Sequence, residues 1–256
     1  MLEACHLTKF FSGVAAVKDV SFDVHPGQIL GYLGPNGSGK TTTVNLLLGL
    51  LEPTQGSVLF QGRDIQADLV GYRRHVGYVP EEPNLYSYLS GREYLELVGR
   101  LRGLTAPLLA RKIPTLLELF DLAQDMDMDI GSYSKGMKQR VLISAALLHD
   151  PELLIFDEPL SGLDATTALV FRSLVRTLAD RGKTILYSSH ALEVVEKLCS
   201  KVIVLYRGQV VAHDSVSRLR DLVARDSLEG VFAELVIRED PERIGRDIAD
   251  TAALMR

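Results

Sequence analysis

The residues with the clearest chemistry lie in one short run. Gly34, Pro35, Asn36, Gly37, Ser38, Gly39, Lys40 and Thr41 follow the pattern Gly-x-x-x-x-Gly-Lys-Thr, with Thr42 beside them. A triphosphate packs several negative charges into a small volume, and such a loop can answer it. Its glycines let the backbone curl so that several N–H groups point inward. A helix opening near Lys40 adds the positive end of its dipole. The Lys40 ammonium is a compact cation for the outer phosphates, and the Thr41 hydroxyl is a hard oxygen suited to Mg2+. An apolar run at 29–33 before the loop and a helical pattern at 41–51 after it give the context the motif needs. The run implies a bound nucleoside triphosphate, and alone it would serve a GTPase, a kinase or a motor.

Two acids could complete that chemistry. Residues 153–156 are apolar and end in Asp157 and Glu158, and buried strands of α/β folds deliver reactive groups at their C-terminal ends. Asp157 can hold Mg2+, directly or through water. Glu158 can polarise a water for in-line attack on the γ-phosphate. His190 ends another strand-like run, 185–190. Its imidazole could bond the γ-phosphate and hold the attacking water, and the same position also suits an ordinary surface histidine.

The elements that must position these groups read as α/β. Strand patterns fall at 20–24, 29–33, 57–60, 76–79, 153–156, 184–187, 202–206 and 209–213, the last two joined by the hairpin signal Arg207-Gly208. Helical spacing covers 41–51, 112–122, 138–148 and 167–178. Ser90 and Glu93 form a capping box that opens a further helix. With helices and no strand between Pro83 and about Asp150, that stretch predicts a helical subdomain inserted into the sheet domain.

Composition narrows the class. Hydrophobic residues make up 46% and charged residues 24%, enough apolar material for a sizeable core, and the net charge of −5 gives no electrostatic reason to bind nucleic acid. Cys5 and Cys199, without paired spacing, predict neither a zinc site nor a disulfide framework. The apolar runs at 141–148 and 44–51 are too short for a membrane span. The first residues lack the pattern of a signal peptide. The chain is therefore expected in the cytosol, meeting a membrane only through a partner.

The order of the motifs carries a resemblance. The phosphate loop is followed by Tyr133-Ser134-Lys135-Gly136-Met137-Lys138-Gln139-Arg140, then the double-acid strand, then Ser161-Gly162-Leu163-Asp164, then His190. Over about residues 2–222 this closely resembles the ATP-binding cassette ATPases. The resemblance implies a P-loop NTPase core, a mixed sheet flanked by helices, with an inserted α-helical subdomain at about 84–150 and an N-terminal antiparallel β portion. It implies a cassette over residues 1–225, and the charged, helix-like sequence beyond it predicts a helical extension over 226–256. It implies ATP and Mg2+ as ligands, with Thr41, Glu81 and Asp157 toward the metal and Glu158 and His190 in catalysis. The partners it implies are a second cassette, identical or paralogous, and a transmembrane permease, with the chain peripheral on the inner face of the cell membrane.

In the family, the helix tip at Ser134, Lys135, Gly136 and Met137 caps the γ-phosphate held by the opposite subunit, and Asp164 lies between subunits. The family's usual tip is Leu-Ser-Gly-Gly-Gln, so Lys135 is a departure that would add positive charge near the phosphate. Phe11 stands where an aromatic residue stacks on adenine in similar proteins. Phe10 is the rival for that place, one of the two being expected in the core. Glu81 replaces a frequent glutamine, an exchange also found in a subgroup that resembles exporters of drugs, antibiotics and lipids, and residues 226–232 resemble a segment of that subgroup. A soluble cassette ATPase or a regulatory cassette is the alternative; Glu158 and His190 argue against the non-hydrolysing form.

Overall fold

The computed structural model describes residues 1–222; the extension expected at 226–256 lies outside them. The chain runs β1 (Leu2–Phe11), β2 (Val14–Val24), β3 (Ile29–Leu33), α1 (Lys40–Leu47), β4 (Gln55–Phe60), β5 (Arg63–Asp64), α2 (Leu69–Arg74) and β6 (Val76–Val79). Then come α3 (Gly91–Leu101), α4 (Ala106–Leu119), α5 (Lys135–Leu147), β7 (Leu153–Asp157), α6 (Ala165–Asp180), β8 (Thr184–Ser189), α7 (Leu192–Leu198), β9 (Lys201–Tyr206), β10 (Gln209–Ser215) and α8 (Val216–Leu222).

Two sheets result. One has the order β2-β1-β4-β5 and is antiparallel; the other has the order β10-β9-β3-β8-β7-β6. In the second, β9, β3, β8, β7 and β6 are parallel and only the edge strand β10 runs against them. The parallel strands are apolar on both faces, as a sheet covered on both sides requires. Leu30, Tyr32, Leu153, Ile155, Leu186 and Ile203 pack toward α1 and the antiparallel sheet. Their alternates Ile29, Leu33, Leu154, Phe156, Ile185, Tyr187 and Val202 share a core with α3–α7. The period-2 alternation of strand side chains thus divides the core in two.

Local signals explain several boundaries. Ser90 accepts from Glu93 N at 3.2 Å and Glu93 Oε2 accepts from Ser90 N at 2.8 Å, closing the capping box. Arg207 and Gly208 take φ of 50° and 78°, the two left-handed residues of a tight hairpin between β9 and β10. Helix α1 stops at Leu47, short of the expected 51. Gly49 turns at φ 62°, where a side chain would run into Leu69. Helix α4 starts before the expected 112 and carries Pro114 in its interior, at the cost of one backbone bond.

β1 was not legible as a strand. Its pairing with β2 slips between Ala4 and Leu7 and again on either side of Lys9, and His6 takes φ 50°. Each slip resets the alternation a sequence reading depends on.

Helices α3, α4 and α5 all lie between β6 and β7, which are adjacent and parallel. The chain leaves the sheet at the C-terminal end of β6 and re-enters at the N-terminal end of β7. His149, just past α5, lies with Nε2 3.0 Å from the Val76 carbonyl of β6 and ties the end of the insert back to the sheet. Burial, and next the Arg102 guanidinium, hold His149 down at about 4. Both cysteines are free thiols, Cys199 buried and Cys5 half-buried.

Candidate functional site

The C-terminal ends of β3, β8, β7 and β6 lie side by side in that order. They deliver, respectively, the phosphate loop, His190, Asp157 with Glu158, and the segment holding Glu81. A cleft of about 370 Å3 opens there, lined by Ala16, Asn36, Gly37, Gly39, Lys40, Thr41, Thr42, Glu81, Asp157 and Glu158.

The loop is shaped by its neighbours as much as by its own glycines. Gly39, the N-cap of α1, has φ 106°, and a Cβ there would sit 2.5 Å from the Ala16 carbonyl oxygen. The Lys40 ammonium donates to the Gly34 carbonyl at 2.7 Å and to that of Pro35 at 3.3 Å, so a cation sits inside the loop with its stem buried. Ser38 points inward, its hydroxyl against Gly34, and its carbonyl accepts from Gly208 N at 2.8 Å. Gly34, Pro35 and Ser38 therefore build the loop from behind and do not line the cleft. Ala16, on β2, does line it; nothing in its own sequence surroundings marks it.

On the acidic side, Asp157 is almost fully buried. Burial raises its carboxyl above the usual carboxylate range and the charges of Glu81 and Glu158 add to this, while Lys40 opposes. Glu158 turns the chain at φ 47°. Its Oε1 accepts from His190 N at 2.7 Å and lies 2.6 Å from His190 Nδ1; its Oε2 accepts from the Ser189 hydroxyl at 3.0 Å. Here His190 serves Glu158 directly, a contact across 32 positions of sequence. Ser189, which the sequence reading did not single out, is its companion.

The Ser134 tip lies elsewhere. Ser134 caps α5 by accepting from Met137 N at 3.2 Å. A Cβ on Gly136 would stand 2.7 Å from the Gly162 carbonyl oxygen, so glycine permits the close approach of helix and loop. Lys135 runs its stem over Gly162 and brings its ammonium within 3.7 Å of Glu82. Asp164 caps α6, accepting from Thr167 N at 2.9 Å, and the Thr167 hydroxyl and N–H hold its carboxyl below the usual range. Ser134, Lys135, Gly136, Met137, Asp164, His190 and Phe11 are absent from the lining of the cleft.

Phe10 and Phe11 correct an expectation, since both are exposed, at 41% and 44%. Strand β1 pairs with β4 only as far as Thr8. Past that point the segment ahead of β4 runs alongside, with the Thr54 hydroxyl oxygen accepting from Phe10 N at 3.2 Å and the Glu52 carbonyl from the Lys9 ammonium at 2.7 Å, and both rings stay open to solvent. The Lys9 ammonium stands over the Phe11 ring at 5.5 Å.

A glycine-rich loop cradling an ammonium beside two carboxylates at parallel-strand ends is the site of a P-loop nucleotide hydrolase. Comparison with known proteins refines the class. The sequence profile described as ABC transporter matches residues 17–161. The chain is 36% identical over 226 residues to the ABC transporter ATP-binding protein NatA of Bacillus subtilis, covering 88% of this chain and 92% of that one. It is 36% identical over 221 residues to the Nod factor export ATP-binding protein I of Cupriavidus metallidurans, covering 86% and 73%. A solved ATP-binding subunit of an ABC transporter superposes with a TM-score of 0.87 at 33% identity, covering 92% and 99%. The dimeric ATP-binding cassette MJ0796 in a post-hydrolysis state with ADP and Pi superposes with a TM-score of 0.77 at 25% identity, covering 84% and 98%. The chain belongs to the ABC transporter family, as an ATP-binding and ATP-hydrolysing subunit.

Proposed function

We propose that two cassettes, two copies of this chain or this chain and a paralogue, close on two ATP molecules and drive export through a separate membrane permease. One observation carries the reading. The α5 tip at Ser134 is exposed and offers helix N-terminal donors, a ready anion site, yet it stands outside the cleft that holds Lys40, Asp157 and Glu158 of the same chain. A second molecule can bring its own tip to that cleft. The phosphates are then cradled by residues 34–42 of one cassette and capped by Ser134, Gly136 and the Met137 N–H of the other. Lys135 exchanges Glu82 for the γ-phosphate, Asp164 lies between the subunits, and Phe11 stacks on adenine.

The donor set fits Mg2+. Asp157 and Glu81 carboxylates and the Thr41 hydroxyl face one cleft, and all are hard oxygens. Among the described residues no three His, Cys, Asp or Glu side chains form a ready-made metal cage, which suits an ion that takes one or two carboxylates with substrate phosphates and water. The ion would neutralise charge on the β- and γ-phosphates. Glu158 accepts the proton of the attacking water, and His190 and Ser189 hold Glu158 in aim.

Among the described residues no helix is long and apolar enough to cross a membrane; in this reading the permease holds the chain to the inner face of the membrane. Tyr86 and Tyr88, exposed and in contact with each other just past Glu81, offer that permease an aromatic surface. The export direction rests on the relative named for Nod factor export. The test is the Glu158→Gln variant, whose solution mass should double on adding ATP with Mg2+ and return when the nucleotide is removed. A variant that binds ATP yet stays monomeric, even beside its permease, sinks the composite site.

A further inference from the structure

Glu158 holds a left-handed backbone conformation, φ 47°, which disfavours a residue with a Cβ and is held here by hydrogen bonds on two sides. Part of the hold comes from β8. Glu158 N donates to the Ser188 carbonyl at 3.0 Å, and the carboxylate takes the Ser189 and His190 donors. The rest comes from the opposite direction. The carbonyl of the next residue, Pro159, accepts from Gln139 Nε2 at 3.2 Å.

Gln139 lies on α5 and is fully buried. Its Oε1 has no hydrogen-bond partner among the described residues. For stability alone such an amide is a poor choice, because an apolar side chain of similar shape avoids desolvating an unpaired acceptor. What the amide supplies, and no apolar residue can, is a donor aimed one peptide beyond Glu158. The same helix meets this connection a second time, where Gly136 lies against the Gly162 carbonyl.

We propose that Gln139 is a positioning residue for ATP hydrolysis. It fixes the Pro159–Leu160 peptide, one unit past Glu158, and so makes the aim of the carboxylate depend on the seating of the helix that begins at Ser134. Nucleotide capping and base placement then share one rigid element. The inference rests on Glu158 as the base. Misplacement of a reacting group by even about 1 Å is costly, so a single hydrogen bond suffices for the effect.

The test uses the full chain and phosphate release from ATP. Gln139→Met should lower kcat roughly tenfold or more, leave KM for ATP within about twofold, and leave the melting temperature at or above the parent's. Gln139→Glu should recover toward the parent rate as pH falls, because its protonated carboxyl again offers a donor, while the Gln139→Met deficit stays constant. In the Glu158→Gln background, Gln139→Met should leave the residual rate unchanged. A parental kcat in Gln139→Met, a melting temperature falling in step with the rate, or a further loss in the Glu158→Gln background overturns the proposal. An inactive Glu158→Gln beside an unimpaired Gln139→Met defeats this inference alone. A fully active Glu158→Gln defeats the base assignment, and the inference with it.

Discussion

The phosphate loop after β3 and the acidic corner after β7 both bend the chain sharply at the end of a parallel strand, and they hold the bend in different ways. In the loop the left-handed positions are glycines, Gly37 at φ 76° and Gly39 at φ 106°. The conformation costs little there, and most of its hydrogen bonds are local. In the corner the left-handed residue is Glu158, which has a Cβ and a carboxylate. Its conformation is sustained by His190, Ser189 and Gln139 through Pro159, all distant in sequence. A phosphate cradle needs backbone N–H groups and can be written locally. The general base we propose needs a side chain at a fixed angle, which glycine cannot provide, so its bend is held by the surroundings.

The strongest way to break the comparison is to neutralise the corner's side chain while keeping its shape. Glu158→Gln should cut steady-state phosphate release by roughly 10²–10⁴-fold while ATP still binds, measured alongside nucleotide affinity; retained turnover would show that the corner is not the base. His190→Ala leaves the backbone N–H in place and removes only the imidazole. It should lower kcat by roughly 10–100-fold with a small change in ATP affinity, and a loss confined to affinity would point to phosphate binding.

The loop can be probed through its glycines. Gly39→Ala meets both a left-handed φ and the Ala16 carbonyl and should cost roughly 2–4 kcal/mol of stability. Gly37→Ala has open space at its Cβ and should cost only about 1–2 kcal/mol. Denaturant titration of the two variants separates local conformation from crowding by β2, and equal losses would remove β2 from the account.

The smallest effect concerns a tertiary tie of the insert. His149 ordinarily titrates near 6.5 and is held at about 4 in the fold, so the unfolded chain takes up the proton first. Its contribution is complete above about pH 6.5 and is lost as pH falls toward 4. The melting temperature should fall over that window, and His149→Gln should flatten the fall. An unchanged slope would mean other groups govern it.

The same contrast decides what the sequence could tell. Strands β3 and β6, the phosphate loop, the Ser90–Glu93 box and the Arg207-Gly208 turn are written in neighbouring residues and were legible there. The acids at the end of β7 were legible as chemistry but not as geometry. Nothing local says that Glu158 bonds His190, that Gln139 reaches Pro159, or that Ala16 faces the cleft. Phe10 and Phe11 show the same limit from the other side, because their exposure depends on where β4 stops pairing with β1. Short helices α2 and α7 carry too few turns for a periodicity to declare itself.

The route of the chain between β6 and β7 has a mechanical result. Its two covalent joints with the sheet sit at opposite ends of neighbouring parallel strands, one beside Glu81 and the other beside Pro151. A line through them runs along the strands, like the pin of a door hung at top and bottom. Rotation of the three helices about that pin would leave both joints in place, whereas sliding would pull on both, and the upper joint is the one beside Glu81.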